Sequence, residues 1–209
     1  DGGVAQVEGT TSSQFLSALL LAAPLARRVV DLRVEGALGS RPYVDLTLDT
    51  MAAFGVEVER HGFERFVVRP ARYVSPGQYA VEADASAASY FFAAAAIVGG
   101  TVRVEGVDRR SRQGDVGFVD VLGRMGCQVD SGEGWIAVRR DGALHGVEVD
   151  LGDMPDVAQT LAAVAPFADS PHLAMAAKPA SRPKPGPNSR IHVGLIGCGG
   201  MGRANLGAC

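Results

Sequence analysis

The chain has 209 residues, 47% of them hydrophobic, enough apolar surface for a substantial core in one or two domains. Its formal net charge of −3 lacks the basic excess that nucleic acid or an anionic membrane surface selects, so neither is an expected partner. Three scattered cysteines (Cys127, Cys198 and Cys209) exclude a disulfide framework or zinc site, and the longest apolar runs, Phe15–Ala26 and Tyr90–Val98, fall short of the ~20 residues that cross a bilayer.

No basic-then-apolar leader opens the chain, and a reduced cytoplasmic setting is expected. The only lysines are Lys178 and Lys184, so none is available for catalysis before Ala177.

In chain order, Val7–Ala26 (VEGTTSSQFLSALLLAAPLA) runs valine, acid, a small polar segment, then a long apolar helix-like stretch. The same order returns 74 residues on at Val81–Gly100 (VEADASAASYFFAAAAIVGG), and after a further 68 at Val149–Ala168 (VDLGDMPDVAQTLAAVAPFA). A second element, Ser40–Val58 (SRPYVDLTLDTMAAFGVEV), repeats at Ser111–Val129 (SRQGDVGFVDVLGRMGCQV). Leu48, Met51 and Ala52, repeated as Val119, Leu122 and Gly123, have helical spacing ended by the glycines Gly55 and Gly126. Strands are expected at Val29–Val34 and Thr101–Val104 between the helices. Further pairs follow at Val56–Val58 with Phe66–Val68, and at Cys127–Val129 with Trp135–Val138.

The chain is therefore read as α/β, built from βαβαββ units of about 70 residues, with two whole copies and a third that stops after its first helix. The first helix of each copy is apolar all round, which predicts protein on every side of it. An ordinary α/β duplication without retained chemistry would also produce the repeat. The polar residues at the helix starts argue against it.

Those helix starts, with SPGQYAVEADASAASYFFAAAAIVGGTVRVEG and DMPDVAQTLAAVAPFA, resemble the central region of the enolpyruvylshikimate phosphate synthase family, over Asp1 to about Ala168. The resemblance implies the enolpyruvyl transferase fold, two domains each of three βαβαββ units. On it, residues 1–78 are the last unit of the first domain and residues 79–170 begin the second, with the crossing near Tyr79–Asp84. It also implies carboxyvinyl transfer from phosphoenolpyruvate to shikimate 3-phosphate with release of phosphate, without a cofactor or metal. The lysine and arginine clamp that the family places around phosphoenolpyruvate has no counterpart here. The chain is accordingly expected to be a truncated enzyme, in which a module that only binds shikimate 3-phosphate is the alternative. Exposed sheet edges give such a chain a route to self-association. The related transferase acting on UDP-N-acetylglucosamine shares fold and chemistry, but Ser12-Ser13-Gln14 followed by Ser40-Arg41-Pro42-Tyr43 resembles the shikimate enzyme's pattern.

Ser12, Ser13 and Gln14 open the first helix, where free N–H groups and the helix dipole favour an anion. The resemblance assigns Ser12, Ser13 and Ser40 to the substrate phosphate, Gln14 to both substrates, and Tyr43 to the shikimate pocket. Plain N-caps for the serines and a half-buried core aromatic for Tyr43 are the structural alternatives. Arg41 falls where the family often has a basic residue, and a solvated surface arginine is its alternative. Asp156 holds the place in the third copy that Gln14 holds in the first. The resemblance makes it the general base for the attacking hydroxyl, against an N-cap at a Pro-Asp helix start. Asp84 and Ser86 read as capping residues, and His61, His145, His172 and His192 as surface or loop positions.

After Ala168 the family pattern fades. Residues 171–190 are expected to be a Pro-rich linker. Residues 191–209 then read as a strand followed by G-x-G-x-x-G through Gly197, Gly199 and Gly202. They resemble a Rossmann-like start of the glucose–fructose oxidoreductase type, as in a chimeric reading frame. With no second strand or ribose-binding acid following, bound NAD is not expected, although the motif alone would point to a nicotinamide-dependent oxidoreductase. Ile191–Ile196 is expected to pair with an exposed sheet edge.

Overall fold

A strand gains its ladder only beside another, so the register of the strands decides how the repeat is realised. The computed structural model describes residues 1–169 and the strand Leu195–Ile196, in two units. One comprises Asp1–Val81 with Arg112–Gly114, and the other Glu82–Ser111 with the chain from Asp115 onward. The linker and the glycine motif of the tail, with His172 and His192, lie outside the described residues, as do Cys198 and Cys209.

The first unit realises the βαβαββ order: β1 (Gly3–Glu8), α1 (Ser13–Ala22), β2 (Val30–Glu35), α2 (Arg41–Ala53), β3 (Val58–His61) and β4 (Arg65–Val68). The sheet runs β1-β2-β4-β3, with β1 and β2 parallel and the remaining pairs antiparallel. Leu16 and Leu20 of α1, one turn apart, pack with Val44 and Met51 of α2 and with Leu32, Phe66 and Val68 of the sheet. β4 buries Phe66, Val67 and Val68 in succession because it lies inside the sheet, between β2 and β3.

The second unit departs from the expected repeat at its start. Residues 69–84 form no helix or strand, so the copy opens directly on α3 (Ala85–Val98). Val81 is exposed, and Ala83 N–H donates to the Gly106 carbonyl across 3.3 Å, outside any strand ladder. Pro70 and Pro76 supply no backbone N–H to this stretch. β5 (Gly100–Glu105), α4 (Phe118–Arg124), β6 (Gln128–Gly132) and β7 (Trp135–Arg140) follow, giving an antiparallel sheet β5-β7-β6. The third copy is shorter still: β8 (Leu144–His145), β9 (Val149–Asp150), α5 (Ala158–Val164) and β10 (Ala168–Asp169), with β10 parallel to β8. Leu195–Ile196 forms β11 and pairs parallel with Val149–Asp150. Phe92, Phe118, Leu122, Ile136 and Leu161 lie in this unit's core.

The helices expected to be enclosed on every side are enclosed on one. On α1, Phe15 is 59% exposed, and on α3 Phe91 is 60% exposed. α1 packs against its sheet and α2, and α3 against its sheet, α4 and α5, which leaves these two rings outside the cores.

Both glycine-ended helices close alike. After α2, Gly55 N–H donates to the Ala52 carbonyl (2.9 Å) and Val56 N–H to that of Met51 (2.9 Å). After α4, Gly126 N–H donates to Gly123 (3.0 Å) and Cys127 N–H to Leu122 (3.0 Å). These paired bonds need a left-handed residue, and Gly55 and Gly126 provide it at φ 80° and 109°. A Cβ on Gly126 would also lie 3.0 Å from the Ala143 carbonyl oxygen, whereas Gly55 has no neighbour closer than 3.6 Å. Gly55→Ala should therefore cost about 1 kcal/mol and Gly126→Ala more, as read from urea denaturation midpoints.

Asp108, after β5, ties its loop to the β6–β7 hairpin. It accepts from the Arg110 side chain (2.9 Å), the Arg110 backbone N–H (2.8 Å) and Gly134 N–H (2.9 Å). The Arg110 side chain first, then those two N–H groups, hold its carboxyl well below the usual range. A lowered folded-state pKa contributes stability that is complete above the unfolded value and is lost on acidification. Urea denaturation of the wild type should show stability falling below about pH 4, with a shallower acid limb in Asp108→Asn.

Candidate functional site

Parallel pairing of β1 and β2, each followed by a helix returning along the sheet, puts the starts of α1 and α2 at the same end of the sheet, beyond the C-termini of the two strands. Gly9 N–H donates to the Glu35 carbonyl (2.8 Å), which joins the two loops leading into the helices. One turn inside the helices, the Ser17 and Thr47 hydroxyls are hydrogen-bonded at 2.8 Å, and Thr47 also donates to the Tyr43 carbonyl (2.8 Å). Ser17 is four residues past Ser13 and Thr47 four past Tyr43, so this contact draws together the turns that carry the predicted residues.

At the mouth so formed, Ser12 is the N-cap of α1, with extended backbone, and its Oγ accepts from Gln14 N–H at 3.2 Å. Ser13 is buried and Gln14 exposed. Ser40 precedes α2 in a left-handed conformation, φ 53° and ψ 40°, and its hydroxyl caps nothing. Tyr43 is half-buried in the first turn of α2. Neither helix has an acidic residue in its first turn. The carboxylate of Glu8, at the end of β1, accepts from the Thr10 hydroxyl (2.8 Å). Two helix starts, two serine hydroxyls and no first-turn carboxylate make a mouth suited to an anion.

The second unit carries the same serine positions with different partners. Ser86, equivalent to Ser12, donates to the buried carboxylate of Asp115, and Ser111, equivalent to Ser40, donates to Glu82. Ser86 is thus not the capping residue expected. Asp84 alone has that role, accepting from Ala87 N–H at 2.9 Å. Hydroxyls committed to carboxylates disfavour an anion, so the duplicated position is not a duplicated site.

Asp156 lies in the second unit, exposed, in a 3-10 turn Pro155–Val157 ahead of α5. It is not the N-cap, since Met154 and Val157 flank the turn and helix and its carboxylate caps neither. Its backbone carbonyl accepts from Gln159 Nε2 (2.6 Å), leaving the carboxylate outside the helix start. Gln14, its counterpart in the repeat, lies inside an α-helix. His61 ends β3 and His145 ends β8, and both are exposed. Among the described residues no three His, Cys, Asp or Glu side chains gather as a metal site, and no helix is long and apolar enough to cross a membrane.

Sequence reasoning left out two contributors to this mouth. The Ser17–Thr47 tie had a legible signal in hydroxyls one turn past Ser13 and Tyr43. The seating of Arg41 did not: its Nε donates to the Leu38 carbonyl (3.2 Å) and its guanidinium lies 5.4 Å from the Phe63 ring centroid, across a chain separation that no local pattern reveals.

A family model for EPSP synthase (3-phosphoshikimate 1-carboxyvinyltransferase) matches residues 1–181. The match runs past Ala168 into the predicted linker and stops short of the glycine motif, so the oxidoreductase-like tail gains no support from it. The 3-phosphoshikimate 1-carboxyvinyltransferase of Edwardsiella ictaluri is 52% identical over 172 residues, 82% of this chain and 40% of that protein. That of Salmonella typhimurium is 51% identical over 168 residues, covering 80% and 39%. In solved structures, EPSP synthase from Acinetobacter baumannii superposes with a TM-score of 0.60 at 21% identity, covering 81% of this chain and 39% of that one. The enolpyruvyl transferase NikO from Streptomyces tendae gives 0.56 at 16% identity, covering 78% and 42%; both likenesses concern the fold. The chain spans about 40% of the length of the curated relatives it matches. Matched over most of its length and half identical to these relatives, the chain belongs to the EPSP synthase family.

Proposed function

We propose that this chain contributes the shikimate 3-phosphate half of a carboxyvinyl transferase, working in the cytoplasm on shikimate 3-phosphate and phosphoenolpyruvate. One observation carries the reading: α1 and α2 open side by side with Ser12, Ser13 and Ser40 at their starts and no acid in either first turn. A phosphate monoester is the anion such a mouth suits, because N–H groups and hydroxyls donate to its oxygens while the helix dipoles offset its charge. Gln14 and Tyr43 would contact the remainder of the substrate.

In this proposal the first unit is the last βαβαββ unit of one transferase domain, and residues 79–170 open the next. Asp156 is the general base, accepting the proton of the hydroxyl that adds to phosphoenolpyruvate before phosphate leaves. Its exposure and freedom from capping suit a carboxylate kept for a substrate proton. The exposed β1, an edge strand of the first sheet, is the proposed route to self-association.

Calorimetric titration of the chain with shikimate 3-phosphate should show one binding event, and absence of heat at millimolar ligand would dismiss the reading. Ser12→Asp keeps a capping oxygen yet places a negative charge at the mouth. It should weaken binding at least about tenfold while leaving the denaturation midpoint nearly unchanged. Ser12→Ala loses the cap as well and should cost about 1 kcal/mol of stability. With phosphoenolpyruvate present, Asp156→Asn should retain binding and lose phosphate release. If the wild type binds but releases no phosphate, the chain is a binding module and the base assignment fails for it.

A further inference from the structure

Ser40 is the one non-glycine residue with positive φ among the described residues. The left-handed conformation crowds a Cβ, so a serine persists there only where its surroundings over-determine it. Its own side chain does not help, since it makes no cap bond.

The constraint comes from the residues on either side. Leu38 is fixed in the core of the first unit, 5% exposed. Its carbonyl accepts from Arg41 Nε at 3.2 Å, closing a loop over Gly39 and Ser40. On the far side Tyr43 N–H donates to the Ser40 carbonyl at 3.1 Å. Arg41 reaches Leu38 from a fixed seat, its guanidinium over Phe63 in the β3–β4 turn. Arg60 lies over the same ring at 4.9 Å and pairs with Asp45, one turn along α2 from Arg41. The hairpin is thereby clamped to the first turn of α2, and the clamp fixes the arginine that closes the Ser40 loop.

We infer that Arg41, seated on Phe63, is a positioning residue: it holds Ser40 left-handed and so fixes where the Ser40 hydroxyl stands in the mouth. The inference rests on the phosphate reading of that mouth. It also assigns the arginine's work to its planar guanidinium, because a lysine ammonium has neither the Nε–H nor the flat face for this seat.

Two measurements on the whole chain test it. Backbone shifts and the HN–Hα coupling of Ser40, by NMR on labelled protein without ligand, should report a left-handed residue in the wild type. They should move away from it in Arg41→Ala and Phe63→Leu, with Arg41→Lys behaving as Arg41→Ala. Ser40 remaining left-handed in Arg41→Ala overturns the inference. In calorimetry with shikimate 3-phosphate, Arg41→Ala should weaken binding about tenfold in the wild type, the scale of a left-handed backbone cost. In a Ser40→Ala background the same change should have an effect under about twofold. Equal losses in both backgrounds would make Arg41 a direct ligand and overturn positioning. A wild type that binds no ligand removes the phosphate reading, while the Ser40 signals still decide whether Arg41 holds that residue. A variant that merely unfolds loses dispersed resonances throughout, unlike the local shift expected.

Discussion

The parallel pairing of β1 with β2 is the constraint from which the rest of the first unit follows. Two parallel neighbours need a crossover, and α1 provides it, so α1 and α2 start at the same end of the sheet. Without that pairing Ser12 and Ser40 would be two unrelated helix caps. With it, their helices lie close enough for Ser17 and Thr47 to bond, and the unsatisfied N–H groups of both starts face one region.

The duplication shows how little sequence change separates a site from its structural echo. The second unit repeats the glycine-ended helix closure bond for bond, because that closure depends on one left-handed residue and the apolar position after it. It does not repeat the anion mouth. Ser86 and Ser111 stand where Ser12 and Ser40 stand, but their hydroxyls donate hydrogen bonds to the carboxyl groups of Asp115 and Glu82. The backbone differs there as well: Ser111 is not left-handed as Ser40 is, and no strand corresponding to β1 precedes α3.

The helix faces left open tell a similar story about packing. Phe15 on α1 and Phe91 on α3 are as apolar as the residues that fill the cores, yet they stand exposed within their units. An all-apolar helix records that every face can be buried favourably. Which face is buried is decided by the elements each helix packs against in its unit.

The sequence by itself determined the repeat, the helix and strand order of the first unit, the glycine closures and the family. Each depends on periodicity or residue type within a short window, where backbone sterics and amphipathic spacing act directly. It also placed Ser12, Ser13, Gln14, Ser40 and Tyr43 at helix starts, since small polar residues ahead of an apolar run mark such positions. Tertiary structure alone decided the rest. That Val81–Asp84 forms no strand depends on whether a neighbour offers a ladder, which the local sequence does not encode. That Asp156 lies in a 3-10 turn and caps nothing depends on the hydrogen bonds around it. The seating of Arg41 on Phe63 joins a helix start to a hairpin more than twenty residues on, through a ring face and one carbonyl. Contacts of that kind arise only once the sheet has set its register, so the sequence offered Arg41 only as a position where the family often has a basic residue, or as a solvated surface arginine.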